Sequence, residues 1–444
     1  MIRRITILLL MISALAFGRE TTYVYPPWSH TVLGLHRIGS AEVSLFSRGK
    51  VQCANPQGIA AVKMKELDDP DSGKDDIWLT LFAVNSDRGE IVYNPGVTSV
   101  HTFGSRGHGE GEFFQPMGIA ANDSGQVLVA DTGNHRLALL QFRESGNRWL
   151  HRYRLQWRGS FDNGDPAFKP VDVCWCEKAF WVADASTGKV FRFDREGKFL
   201  GEWPLQISEP LKDLRGIAVI SPRDPWSRLS SFQLLLVADE GRELHLFNRR
   251  GKRIARRSPG EIYSREARFH YPAFDLRGQA LLADQVSGKL FKLDKELEPL
   301  KILETLDEDP VPLNRPTGIA IWRRYGMVFI AEQDGGVYLW TGTDILNPRL
   351  SFSGSGEDRD RLVLEYSLSE RSFVEIYLRK GQEESLLISK KNREEGFNRQ
   401  ILSLDPDILE ADVLVLKARP LYSARKHLNV ERLLPIPELK HETR

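Results

Sequence analysis

Apolar residues along the chain fall into short runs that recur in one order. A stretch built on Gly-Ile-Ala comes first. After a gap follows an apolar run that closes on an acid or amide, then a polar turn bearing glycine, then an alternating run. In the clearest instance Gln115-Pro116-Met117-Gly118-Ile119-Ala120 precedes Val127-Leu128-Val129-Ala130-Asp131, a turn at 132–136 and a run at 137–142. Short runs of this kind, bounded by Gly, Pro and Asp, predict strands. A Gly-bearing turn between two of them predicts a hairpin.

The unit recurs six times. Its closing residue is Asn85, Asp131, Asp184, Asp239, Asp284 and Glu332 in turn, at spacings of 45 to 55 residues. A period of about 40–50 residues with several strands per copy indicates propeller blades. The longest intervals accommodate loop insertions such as 221–231. The copies resemble NHL repeats over roughly 41–345, most clearly at 115–142 with Asp131-Thr132-Gly133-Asn134-His135-Arg136. The expected fold is all-β: a six-bladed, NHL-like β-propeller over 41–345, followed by a small β-sandwich. Leu45-Phe46-Ser47-Arg48-Gly49 mirrors Thr102-Phe103-Gly104-Ser105-Arg106-Gly107, so 41–47 is expected to supply the closing strand of the last blade. Such pairing covers an edge and ties the first blade to the last.

The period stops near residue 345. A linker is expected at 346–360, rich in Ser, Gly and charge, then a sandwich at 361–426 and a polar, loosely ordered tail at 427–444. Short alternating runs at 362–368, 373–378, 386–388, 398–402 and 413–416 predict the sandwich strands. Tyr366-Ser367-Leu368-Ser369-Glu370, Ile376-Tyr377-Leu378-Arg379-Lys380-Gly381 and Glu395-Gly396-Phe397-Asn398 resemble the Ig-like domain of flagellar hook-capping proteins.

Residues 1–18 place Arg3 and Arg4 before an apolar run at 5–15 and small residues Ala14, Ala16 and Gly18. This is the pattern of a secretory signal peptide, too short to span a bilayer comfortably. Residues 19–40 read as a linker, and the expected location is secreted or periplasmic. The balance of 61 Lys and Arg against 60 Asp and Glu leaves no global field for nucleic acid. Three cysteines, Cys53, Cys174 and Cys176, are too few for a disulfide scaffold and read as small buried residues, with one disulfide plus a free thiol left open.

Candidate chemistry is sparse. A ring of the six closing residues could bind a cation, but an acid repeated in every blade also serves each hairpin by accepting turn amides. Asn134, His135 and Arg136 lie in the best-formed turn and could receive an anion. Arg249, Arg250, Lys252 and Arg253 belong to a hairpin with six basic residues in the nine of 249–257, suited to an acidic surface or anionic glycan. His101, His108, Glu110 and Glu112 fit no zinc spacing, and no nucleophile elbow, phosphate loop or His-Glu-x-x-His motif occurs. No catalytic or metal-binding residue is assigned. The expected role is a non-catalytic binding or scaffold protein whose propeller face meets a protein or glycan outside the cytoplasm, with no cofactor, no nucleic acid and no membrane span. The alternative is a calcium-dependent propeller enzyme of the lactonase, esterase or lyase type. A third role is attachment to envelope or glycan through the sandwich and the basic hairpin.

Overall fold

The computed structural model divides the chain into two compact units, Met1–Leu339 and Trp340–Arg444. It describes residues 20–21, 36–39, 41, 43–44, 47–65, 79–96, 99–145, 153–224, 227, 229–303, 305–306, 309–323, 327–333, 335–340, 345–353, 361–368, 372–393, 396–404, 406–420 and 430–437. The expected signal peptide at 1–18 lies outside them.

The first unit is a β-propeller. Among the described residues six sheets follow one another; in five the strands are antiparallel and hydrogen-bonded in sequence order, and the sixth adds two strands from the N-terminus to its own three. The second sheet is typical: Ile119–Ala121, Gln126–Asp131, Arg136–Glu144 and Tyr153–Phe161. The innermost strands are Pro56–Val62, Ile119–Ala121, Pro170–Cys176, Gly216–Ile220, Phe269–Phe274 and Ile319–Trp322. Each touches the next, and the last touches the first, so they form a closed ring.

The Gly-Ile-Ala signature follows from that closure. A Cβ on Gly58 would lie 2.8 Å from the Met117 carbonyl oxygen, and one on Gly318 would lie 2.3 Å from that of Gln57. Backbones meet there, so a side chain has no room. The continuous apolar runs have a second cause. Strands such as Thr80–Asn85 and Gln233–Ala238 are buried along their whole length because neighbouring sheets cover both faces. Aromatic rings fill the wedges between sheets, as where Phe82, Tyr93 and Phe142 meet edge to face.

The sixth sheet is completed from the N-terminus, but not by 41–47. His36–Gly39 pairs antiparallel with Gly335–Val337, and Glu20–Thr21 lies beyond it. Residues 41, 43 and 44 are helical instead. That local turn holds itself together: the Ser47 amide donates to the Val43 carbonyl at 3.0 Å, the Val51 amide donates to Ser47 Oγ at 2.9 Å, and Val43 is buried.

The second unit is a two-sheet sandwich. One sheet holds Ile345–Phe352, Arg361–Leu368 and Gly396–Ser403. The other orders Glu383–Arg393, Ser372–Lys380, Val413–Pro420 and Val430–Pro435. Leu364, Tyr366, Ile376, Leu378, Leu414 and Leu416 lie in their shared core. Two expectations are corrected. The stretch read as a linker at 346–360 begins inside a strand, Ile345–Phe352, which pairs with Arg361–Leu368. The stretch read as a loose tail supplies Val430–Pro435, an edge strand on Val413–Pro420 that turns Leu434 toward the core. Pro435 stands at the end of that edge strand, where a missing N–H costs no ladder bond.

Candidate binding face

The six closing residues do structural work. Asn85 Oδ1 accepts from the Ala54 amide at 2.7 Å, Asp131 Oδ1 from Phe114 at 2.8 Å, and Asp184 Oδ1 from Lys169 at 2.7 Å. Asp284 Oδ1 accepts from Arg268 at 2.8 Å and Glu332 Oε1 from Asn314 at 2.9 Å. Each bond ties the end of a second strand to the segment entering the inner strand of its own sheet. Asp239 departs from the pattern: its φ is 49°, and its own amide donates to the Lys212 carbonyl. Among the described residues no three His, Cys, Asp or Glu side chains converge as a metal ion requires. These acids are taken up by the amides of their own sheets and do not fit a calcium ion.

Asn134, His135 and Arg136 are also committed to the frame. Asn134 Nδ2 donates to Asp131 Oδ2 at 2.8 Å and to the Gly107 carbonyl at 3.0 Å. His135 Nδ1 lies 2.9 Å from the Phe168 carbonyl. Arg136 Nε donates to Asp131 Oδ2 at 2.8 Å, and its Nη atoms donate to the carbonyls of His108, Gly109 and Glu112. The guanidinium thus staples the Gly-rich loop 107–112 to the second sheet. His108 and Glu112 belong to that loop, where Glu112 Oε2 accepts from the Gly109 amide at 2.9 Å.

The basic hairpin behaves differently. It joins Glu243–Phe247 to Arg253–Arg257 in the fourth sheet. Asn248 Oδ1 caps it, accepting from the amides of Arg250 at 3.0 Å and Lys252 at 3.2 Å. Arg249 Nη1 donates to Glu177 Oε2 at 3.0 Å, Nη2 contacts Oε1, and the guanidinium lies 4.8 Å from the centre of the Phe232 ring. Those hydrogen bonds from Arg249 hold Glu177 below the usual carboxylate range. Arg253 Nη1 sits 3.4 Å from His245 Nδ1. Arg250 and Lys252 are exposed. Between the hairpin and the inserted loop after Gly216–Ile220 lies a pocket of about 430 Å³, lined by Arg223, Ser230, Ser231, Asn248, Arg249 and Arg250 over Phe232. Sequence reasoning found the hairpin and missed Arg223 and Glu177. It recognised the insertion at 221–231 only as extra length, and Arg249 and Glu177 stand 72 residues apart.

The propeller axis holds a second cavity, of about 200 Å³, lined by the inner strands. Four groups there break the repeat. Asp172 occupies the place that Gly58, Gly118, Gly216 and Gly318 hold in other copies. Its Oδ1 accepts from the Val173 amide at 2.9 Å and its Oδ2 from the Ile217 amide at 2.8 Å, so it bridges the third and fourth sheets. Tyr271, with φ of 40°, donates its hydroxyl to Gln57 Oε1 at 2.9 Å across the ring. Arg323 reaches from the sixth sheet to the carbonyls of Phe274 at 3.1 Å and Val219 at 3.3 Å, and to Asp224 at 3.6 Å. Burial pushes the thiol of Cys174, and that of neighbouring Cys176, well up, so neither is an activated nucleophile. Among the described residues Cys53, Cys174 and Cys176 form no disulfide with one another.

Burial, partly opposed by the two amide bonds, pushes the Asp172 carboxyl up to about 8. An unfolded aspartate titrates near about 3.9. Between those values the native chain holds a proton that the unfolded chain has lost, so stability is greatest below the lower value and falls as pH rises toward the upper one. Melting temperature followed across that window should decline in the wild type. Asp172→Asn should flatten the decline; an unchanged slope in the variant would show that Asp172 does not titrate there.

Residues 113–138, which include the first two strands of the second sheet, match the NHL repeat model. No curated protein matches the chain. Among solved structures, the chain is similar to a gluconolactonase from Xanthomonas campestris at 14% identity, covering 65% of this chain and 86% of that one, with a TM-score of 0.43. It is similar to the calcium-binding protein regucalcin from Agrobacterium tumefaciens at 14% identity, covering 65% and 90%, with a TM-score of 0.41. Virginiamycin B lyase from Staphylococcus aureus matches at 12% identity, covering 58% and 75%, with a TM-score of 0.40.

Proposed function

We propose that this chain is a secreted or periplasmic, non-catalytic binding protein. Its six-bladed propeller presents one face to a protein or glycan partner, and an Ig-like sandwich follows as a docking module. The face is the one formed by the turns between first and second strands and between third and fourth strands, centred on the fourth sheet. One contrast carries this proposal. In the axial cavity Asp172 and Arg323 are fastened to backbone amides and carbonyls and the Tyr271 hydroxyl to Gln57, whereas Arg223 and Arg250 stand exposed at an open pocket. A catalytic acid or base must be free to exchange a proton with substrate. A binding face needs exposed, directional donors held on a firm frame.

The test uses the full chain. Charge reversal by Arg250→Glu and Lys252→Glu should weaken retention of the partner about tenfold or more, with calcium and chelator giving the same result. Calcium-dependent turnover of an ester or lactone by the wild-type chain would overturn the proposal.

A further inference from the structure

We infer that the fourth-sheet pocket binds a small ligand through an oxyanion: a carboxylate, sulfate or phosphate group. The inference rests on this face being a binding face, and it specifies the chemistry of what enters the pocket.

The charge is one-sided. Among the described residues, the pocket lining includes Arg223, Arg249 and Arg250 and no carboxylate. Nearby acids are already matched. Glu177 takes the Arg249 guanidinium and the Ser221 hydroxyl. Asp224 accepts from the Ser221 amide at 2.8 Å and from the Cys176 thiol at 3.2 Å, and lies 3.6 Å from Arg323. Glu177 faces both Arg249 and Arg223, so one carboxylate meets two guanidiniums and, with Arg250, the rim keeps a net positive charge. Neither the Arg223 nor the Arg250 guanidinium has a hydrogen bond or ion pair to a described residue, and both side chains are exposed. A planar guanidinium presents paired N–H groups that match two oxygens of an oxyanion.

The frame beneath is rigid. Besides its Asn248 cap, the hairpin is bolted to the chain leaving the third sheet. The Gln206 amide donates to the Gly251 carbonyl at 2.8 Å, and Gln206 Nε2 donates to the Arg250 carbonyl at 3.0 Å. Gly251 has φ of 78°, and a Cβ there would fall 1.8 Å from the Pro204 carbonyl oxygen. Arg249 is held in place by Glu177 and the Phe232 ring. Exposed Ser230 and Ser231 add hydroxyl donors on the opposite wall. A volume of about 430 Å³ admits a ligand of sugar size and lies in the range of small-molecule sites, about 300–1,000 Å³.

Calorimetric titration of the full chain with glucuronate, glucose 6-sulfate, glucose 6-phosphate and uncharged glucose, at low ionic strength, tests the inference. At least one charged probe should bind, glucose should not, and added salt should weaken binding. The order of the three probes identifies which oxyanion the pocket prefers. The double variant Arg223→Ala/Arg250→Ala should lose about tenfold or more in affinity while melting as the wild type does, since neither side chain supports the fold. Arg223→Lys/Arg250→Lys should fall between the two, because charge remains and the paired donors do not. Binding of none of the charged probes, or equal affinity in the alanine variant, overturns the inference. Either result, alongside partner retention that still depends on Lys252, would leave the binding face standing without an oxyanion pocket.

Discussion

Replacing Asp131 by alanine is expected to destabilise the propeller by about 3–5 kcal/mol, the cost of leaving one partner of a buried ion pair alone. Asp131 is fully buried, and its carboxylate serves three donors: the Phe114 amide, Asn134 Nδ2 and Arg136 Nε. Alanine removes both acceptor oxygens, and with them three bonds, and strands Arg136, whose side chain is 17% exposed. Because Arg136 also grips three carbonyls of the 107–112 loop, that loop should loosen with it. Asp131→Asn should cost less. It keeps the oxygen that Phe114 uses but turns an amide toward Arg136. Urea unfolding of the two variants checks the order. A loss under about 1 kcal/mol for alanine would mean that these bonds contribute no more than an exposed pair does.

Gly118→Ala tests the ring itself. Gly118 does not have a positive φ, so alanine costs nothing in backbone conformation there. Its Cβ would nevertheless lie 2.5 Å from Asp172 Cα and 2.6 Å from Asp172 Oδ1. The nearest atom is backbone of the next sheet, which can yield only by opening the ring. Overpacking of this kind costs about 1–3 kcal/mol, and occasionally more. Gly164→Ala is the control: its φ is 81° and nothing lies within 4 Å of the added methyl. That substitution strains only its own residue, by about 1–2 kcal/mol. Gly118→Ala should also disturb the Asp172 bridge to Ile217 and shift the pH dependence of melting, which Gly164→Ala should not. Equal losses with unchanged pH profiles would argue against close approach of the inner strands.

Much of the propeller was legible in the chain because its causes are local. Middle strands buried on both faces read as unbroken apolar runs, and the acid or amide that ends them recurs because in five of the six sheets it accepts from the same approaching amide. The glycine of Gly-Ile-Ala recurs in four copies because a Cβ there would meet the next sheet. What stayed hidden has little local signature. His36–Gly39 carries one apolar aliphatic residue, Ile38, and covers an edge; within the louder pattern at 41–47, residues 41, 43 and 44 are helical. Val430–Pro435 was masked by its charges and prolines. Asp172 was in view as the third copy's substitute for glycine, and aligning the six copies column by column singles it out. Arg223, Glu177 and Arg323 act across gaps in sequence that only folding closes.

The central claim is that the partner meets the propeller at the fourth-sheet face. A photoreactive residue placed at Lys252, at Val286 or at Phe397 of the full chain, in the cells that make it, tests this most directly. Lys252 sits in the hairpin beside the pocket. Val286 is 59% exposed in a turn between second and third strands, at the other end of its sheet, and Phe397 is 68% exposed on the sandwich. Crosslinking from Lys252, with none from Val286, is the predicted result. Crosslinking from Val286 or Phe397 and none from Lys252 would contradict it.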